Sequence, residues 1–248
     1  MTEKNESVEV VTSSIDLITK AEIDMQISTA KAFPRDVRMC IKNSMDMISI
    51  SEDVAQSCVY ALPRDGKNIT GPSVRLAEIV SSNFGNLRTG ARIVANDGRW
   101  ITAQGICHDL ETNNCVTVEV KKRITTKAGK TYSDDMQTVT GNAACAVAFR
   151  NAVFKVIPAA LVEPLLEKAK EVAKGEAGKL ADNITKALLF FTNLGVTKEQ
   201  VFELIDVKLV DEITPEMLVT LRGMATALKN GDTTVKELFS EQKDFNNA

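Results

Sequence analysis

The chain has 248 residues, 44% of them hydrophobic and 25% charged, enough for one large domain or a domain with a small appendage. Thirty Lys and Arg stand against 33 Asp and Glu, for a formal charge of −3, and the single His rules out a multi-His metal site and leaves any Ser-His-Asp hydrolase dependent on His108. Five Cys without a C-x-x-C pair, no apolar run near the roughly 20 residues of a membrane span, and an acidic, polar start together predict a soluble cytoplasmic protein with no membrane partner.

In chain order, residues 1–14 read as a disordered N-terminus. Apolar residues at helical spacing, Ile15, Ile18, Ile23, Ile27 and Ala30, predict a helix over 15–33 that Pro34 stops. A second helix is expected over 35–50 and a third over 52–60. Pro63-Arg64-Asp65-Gly66-Lys67 reads as a turn with two cations, and Pro72 as the first residue of a helix running to about Phe84, closed by Gly85-Asn86.

From Leu87 the period changes from 3.6 to 2, which predicts three antiparallel strands over 87–94, 99–108 and 115–124. Asn96-Asp97-Gly98 suits a three-residue loop with Gly98 in the left-handed region. That register puts Arg88, Arg92, Trp100, Thr102 and Gln104 on one face, and Ala91, Ile93, Ile101 and Ala103 on the other. A four-residue loop, 110–113, then sets Cys107 opposite Val116 and Ala103 opposite Val120, so Lys121 and Arg123 join the polar face.

A helix dense in small residues is expected over 136–157, suited to packing under the sheet. Helices follow over 159–174, 180–194, 198–206, 215–229 and 233–239, with 175–178 as a linker. The expected class is α+β, a short three-stranded antiparallel sheet packed on helices. Residues 15–174 form the core, and 175–248 a small C-terminal helical module.

Charge is unevenly divided. Residues 1–60 hold 6 basic and 10 acidic residues, 61–155 hold 13 and 8, and 156–248 hold 11 and 15. A net +5 centre between two −4 flanks points to a polyanionic partner. No G-x-x-x-x-G-K-[ST] loop is present to cradle a nucleoside triphosphate. Asp134-Asp135 is either a helix N-terminal charge feature or, with Asp109, a Mg²⁺ site of a nuclease; no cofactor is expected otherwise. Arg88, Arg92, Lys121 and Arg123 around Trp100 combine phosphate-reaching cations with a stacking ring, as sequence-neutral single-strand binders do. Lys122, Lys127 and Lys130 read as the flank of a basic finger, and Arg64 and Lys67 precede a helix N-terminus that favours phosphate. Arg75 joins this DNA-binding set. Arg150 and Lys155 either reach phosphate or pair with acids at a subunit contact.

Tyr60-Ala61-Leu62-Pro63-Arg64, Gly71-Pro72-Ser73-Val74-Arg75-Leu76-Ala77-Glu78, Gly85-Asn86, Asn142-Ala143-Ala144 and Arg150-Asn151-Ala152 resemble a phage recombination protein family. The tail, from Leu194-Gly195-Val196 through Leu221-Arg222 to Gly231-Asp232 and Phe239, is similar to the C-terminal module of RecT/Redβ/Erf-type single-strand annealing proteins. The resemblance spans roughly residues 20–240. It implies a non-enzymatic, ATP-independent protein that forms rings or helical filaments, coats single-stranded DNA and pairs it with its complement. Implied partners are a phage exonuclease and the host single-strand binding protein. The alternative expectation is a phage structural or assembly protein whose multimers have no affinity for DNA.

Overall fold

The computed structural model describes residues 3–64, 67–126, 128–175 and 177–240. α1 (Glu3–Ala32) begins inside the stretch expected to be disordered, because no Gly or Pro interrupts residues 3–32 and the first breaker is Pro34. The Asp36 carboxylate then accepts from the backbone N–H groups of Arg38 and Met39 and starts α2 (Val37–Ile48). Ser51 caps α3 (Glu52–Ser57) in the same way.

Residues 59–72 depart from expectation. In place of a helix end and a helix start, β1 (Val59–Arg64) pairs antiparallel with β2 (Lys67–Pro72); the centre of the expected turn, residues 65–66, lies outside the described residues. Val59, Tyr60, Ile69 and Thr70 are good strand formers, but Pro63 and Gly66 mask the alternation. Pro72 therefore ends a strand, and Ser73 is the cap of α4 (Val74–Phe84), accepting from the N–H groups of Arg75 and Leu76.

β3 (Leu87–Asn96), β4 (Trp100–Asp109) and β5 (Asn114–Arg123) form the expected meander in the order β3-β4-β5. Gly98 takes its left-handed conformation at φ 80°, and the Asp97 carboxylate accepts from the N–H groups of Arg99 and Trp100. A bulge between Ile93 and Ala95 absorbs one residue of β3. The second hairpin has Cys107 opposite Val116 and Ala103 opposite Val120, as the turn length dictates.

α5 (Asp134–Val156), capped by Ser133, lies against one face of this sheet. Gly105 of β4 meets the α5 backbone so closely that a Cβ there would collide with the carbonyl of Ala148. Ile101, Ala103 and Ile124 pack with Ala144 and Ala148 in the layer between. α6 (Ala159–Lys174) joins α2, α3, α4 and α5 in a larger core around Ile48, Leu76, Val153 and Leu165.

The last third comprises α7 (Leu180–Asn193), α8 (Lys198–Leu204), α9 (Pro215–Lys229) and α10 (Val235–Ser240). Thr197 and Gln200 make a capping box at the start of α8. These helices are not a free appendage. Their core, centred on Phe191, Leu218, Leu221 and Met224, takes in Ala61 of β1. Gly223 of α9 allows this, since a Cβ there would sit 3.0 Å from Ala61.

Arg35, between α1 and α2, ties the front of the chain to the β4–β5 turn. Its backbone N–H and Nε both donate to Glu111 Oε1, at 2.8 and 2.9 Å, and its guanidinium grips Asp109. The guanidinium carbon also lies 4.1 Å from the centre of the Phe84 ring. The Arg35 and Asp109 side chains are only 7% and 8% exposed. Burial opposes ionisation of Asp109, but hydrogen bonds from Arg35, Thr112 and the Glu111 N–H outweigh it and hold the carboxyl below its ordinary 3.8. Glu111, against the same opposition, is held below its ordinary 4.5 by Asn86 and Arg35. Both folded values are depressed, so their stabilisation is present above the ordinary values and is lost as the pH falls through the lowered ones. Arg35→Ala, which leaves Asp109 buried and unpaired, is expected to cost about 3–5 kcal/mol in urea unfolding at neutral pH and to flatten the acid limb of the stability profile.

Candidate nucleic-acid interface

Because strand side chains alternate, the face of the sheet that α5 does not cover collects every second residue. Reading across β3, β4 and β5, its rows are Arg88–His108–Cys115, Gly90–Ile106–Thr117 and Arg92–Gln104–Glu119. Beyond the bulge come Ala95–Thr102–Lys121 and then Trp100–Arg123. The structure thus brings Arg88, Arg92, Trp100, Lys121 and Arg123 onto one surface. Glu119 is the one acid the described strands place there.

Each rim carries one free and one held cation. Arg92 is exposed and donates to Gln104 Oε1 at 3.3 Å, and Lys121 is exposed. Arg123 is tethered, its Nε donating to Thr125 Oγ1 and its Nη2 to the Thr126 carbonyl, both at 2.8 Å. Arg88 Nη1 is buried without an acceptor. The loop after β5 folds back on itself through a Thr125–Thr131 bridge, and Thr131 Oγ1 donates to the Gly98 carbonyl at 3.1 Å. Lys130, exposed on that loop, therefore stands beside the β3–β4 turn. Arg99, exposed at that turn, escaped the sequence reading because the expected strand 99–108 puts it on the side of Ile101, opposite Trp100, whereas β4 begins only at Trp100.

Five expected contacts lie elsewhere. Lys122, one residue from Lys121 and Arg123, points to the opposite face and donates to the Gly231 carbonyl after α9. Arg150 of α5 pairs with Asp232 at 3.1 Å, with side chains 13% and 6% exposed, and lies 4.7 Å from the Tyr60 ring centre. Both cations hold the C-terminal helices on the core and are unavailable to DNA. Burial lowers the Lys122 ammonium, against the pull of Asp232 and Glu237. Burial likewise raises the Asp232 carboxyl, against Arg150 and Lys122.

Lys155 is exposed near the end of α5, 18 residues and about 27 Å along the helix from Gln137, which bonds Asn96 at the turn end of β3. Lys67 sits on the separate β1–β2 hairpin.

Arg75, on the first turn of α4, pairs with the similarly exposed Glu78. It edges a cleft of about 580 Å³ between α4, Ala91 of β3, α5 and residues 228–231. Val74, Arg75, Glu78, Asn142 and Ala143, which carry the family resemblance, meet in this cleft. Arg64 and Lys127 lie outside the residues whose side chains the structure describes.

The three carboxylates of the nuclease reading do not converge. Asp134 lines a groove with Ile101, whereas Asp109 is eight residues further along β4, about 27 Å away, and is held by Arg35. Among the described residues no group of three or more His, Cys, Asp or Glu could hold a metal ion, and no helix is long and apolar enough to cross a membrane. Burial drives the Cys58 and Cys107 thiols up to about 12, far from reactive thiolates. No family model, curated protein or solved structure matches the chain.

Asp232→Ala leaves Arg150 and Lys122 facing each other in a desolvated pocket and is expected to destabilise the fold by about 3 kcal/mol or more. Arg92→Ala, on open surface, should change stability by no more than about 0.5 kcal/mol. Chemical denaturation of the two variants separates the internal cations from the external ones.

Proposed function

We propose that the protein binds single-stranded DNA across the open face of β3, β4 and β5 and anneals complementary strands without ATP. It does so as an oligomer in phage homologous recombination. The observation that carries this reading is the row of cations on either side of Trp100, on a surface that no other part of the described chain covers. Annealing requires that two anionic strands be brought together with their bases free to pair. Lys and Arg contacts to phosphate release counterions and do not read base edges. Trp100 offers a stacking platform indifferent to base identity. The resemblance to annealing proteins supports the same reading and brings with it a phage exonuclease and the host single-strand binding protein as partners in the host cytoplasm.

Fluorescence anisotropy of a labelled oligothymidine should show affinity falling steeply with salt. Each of Arg92→Ala and Lys121→Ala should reduce the log–log slope by about 0.7. Arg123→Ala should act more weakly, because its guanidinium is already bonded to its own loop. Trp100→Ala is expected to cost about 1–3 kcal/mol of binding. Complementary oligonucleotides carrying a fluorophore pair should anneal faster with protein than without, in the absence of ATP and metal. Equal rates would remove the annealing reading, and multimers with no oligonucleotide affinity at low salt would favour an assembly protein.

A further inference from the structure

α1 is 30 residues long, about 45 Å. It carries two apolar faces on opposite sides of one helix. Ile23, Ile27 and Ala30 fall on one side, and the structure half-buries the first two and buries the third. At 100° per residue, Leu17, Ala21, Met25, Ser28 and Ala32 fall on the other side. All five are exposed, Leu17 and Met25 at 67% and 66%. The exposed Asp24 and Glu22 flank this second stripe on its two sides. Over its length α1 has six acidic and three basic residues.

The open sheet face is the complement of this stripe. Trp100 and Ile106 are exposed along the central strand, with Arg92 on the β3 side and Lys121 and Arg123 on the β5 side. The strip from β3 to β5 is about 10 Å wide, the diameter of a helix, and the ten residues of β4 give about 33 Å of length against about 23 Å for residues 17–32. α1 cannot serve its own sheet this way. Its inner stripe is turned toward its own chain, and its exit is fixed by the Arg35 contacts and by Asn86 Nδ2 donating to the Phe33 carbonyl at 2.9 Å.

We propose that the Leu17–Met25 face of α1 docks on the open face of the β3-β4-β5 sheet of a second copy of this chain, with Glu22 and Asp24 against the Arg92 and Lys121 rims. Each copy then gives one arm and receives one. Such a head-to-tail contact closes into a ring or runs on as a helix, depending on the rotation it imposes. The arm occupies the surface assigned above to DNA, so the two compete. That competition rests on the proposed function; the association of copies does not.

The test uses the full chain, free of DNA, in low-salt sedimentation velocity. Wild type should sediment as multimers that dissociate as salt rises. Glu22→Lys with Asp24→Lys gives a cationic arm facing a cationic sheet, and Arg92→Glu with Lys121→Glu gives an acidic sheet facing an acidic arm. Each double variant alone should be monomeric, and an equimolar mixture should reassociate, because every arm then meets a sheet of opposite sign. All four side chains are exposed, so the substitutions spare the core. A monomeric wild type, double variants that sediment like wild type, or a mixture that stays monomeric overturns the proposal. None of these results bears on oligonucleotide affinity, which anisotropy reads separately.

Discussion

The close approach of α5 to β4 governs the rest of the molecule. With Gly105 against the Ala148 carbonyl and alanines at 144 and 148 beneath Ile101 and Ala103, the helix covers β4 and β5 on one face of the sheet and leaves Ala91 and Ile93 of β3 at its open edge. Alternation then leaves Arg88, Arg92, Trp100, Lys121 and Arg123 no inward option. The exposed cations are therefore a consequence of small residues elsewhere. A larger side chain at 105 would lift the helix, thin the apolar layer and blur the distinction between the two faces on which the site depends.

The same alternation splits the run Lys121-Lys122-Arg123. Its outer members stay on the solvent face, while the middle one turns inward to Gly231 and the neighbourhood of Asp232. Arg150 arrives at that carboxylate from α5, with Tyr60 of β1 against its guanidinium. This knot makes the end of α9 a fixed wall of the cleft that holds Arg75. It also accounts for part of the charge arithmetic: some of the basic excess in the middle of the chain is neutralised internally by the acidic last third, and part of the remainder lies on the open face.

Much of this was legible in local chemistry. Turn length fixed the register of the β4–β5 hairpin. In β3–β4, by contrast, the expected loop would set Ala95 opposite Arg99, the structure sets Asn96 opposite Ile101, and the bulge between Ile93 and Ala95 returns Arg88 and Arg92 to the face of Trp100. The caps at Thr197 and Thr214 mark helix starts that the structure keeps. The β1–β2 hairpin was hidden because Pro63 and Gly66 carry a stronger turn signal than the short strands around them. The Arg35–Asp109–Glu111 node joins residues more than 70 positions apart, and no period or motif encodes such a pairing. Arg150 shows the limit most clearly. Its sequence admits either a phosphate or an acid, and only the fold reveals an acid 82 residues away. Lys122 was read as the flank of a basic finger with Lys127 and Lys130, whereas strand alternation turns it inward to a carbonyl 109 residues away that no local pattern announces.

On the proposals above, a surface that takes both a neighbour's acidic arm and a nucleic-acid strand distinguishes the two by valency. Each arm is one ligand, held by a few charge pairs and a short apolar stripe, and its local concentration is set by the assembly. A single strand laid across several copies engages every sheet it crosses, so its effective concentration at each further site is set by the chain already bound. Salt weakens both contacts through the same cations and does not choose between them. Length does: a strand that meets one sheet competes with one arm on nearly equal terms, whereas a strand that spans many displaces the arms in succession. On the two proposals taken together, one sheet face sets an order of events, with assembly first and capture of long single strands next.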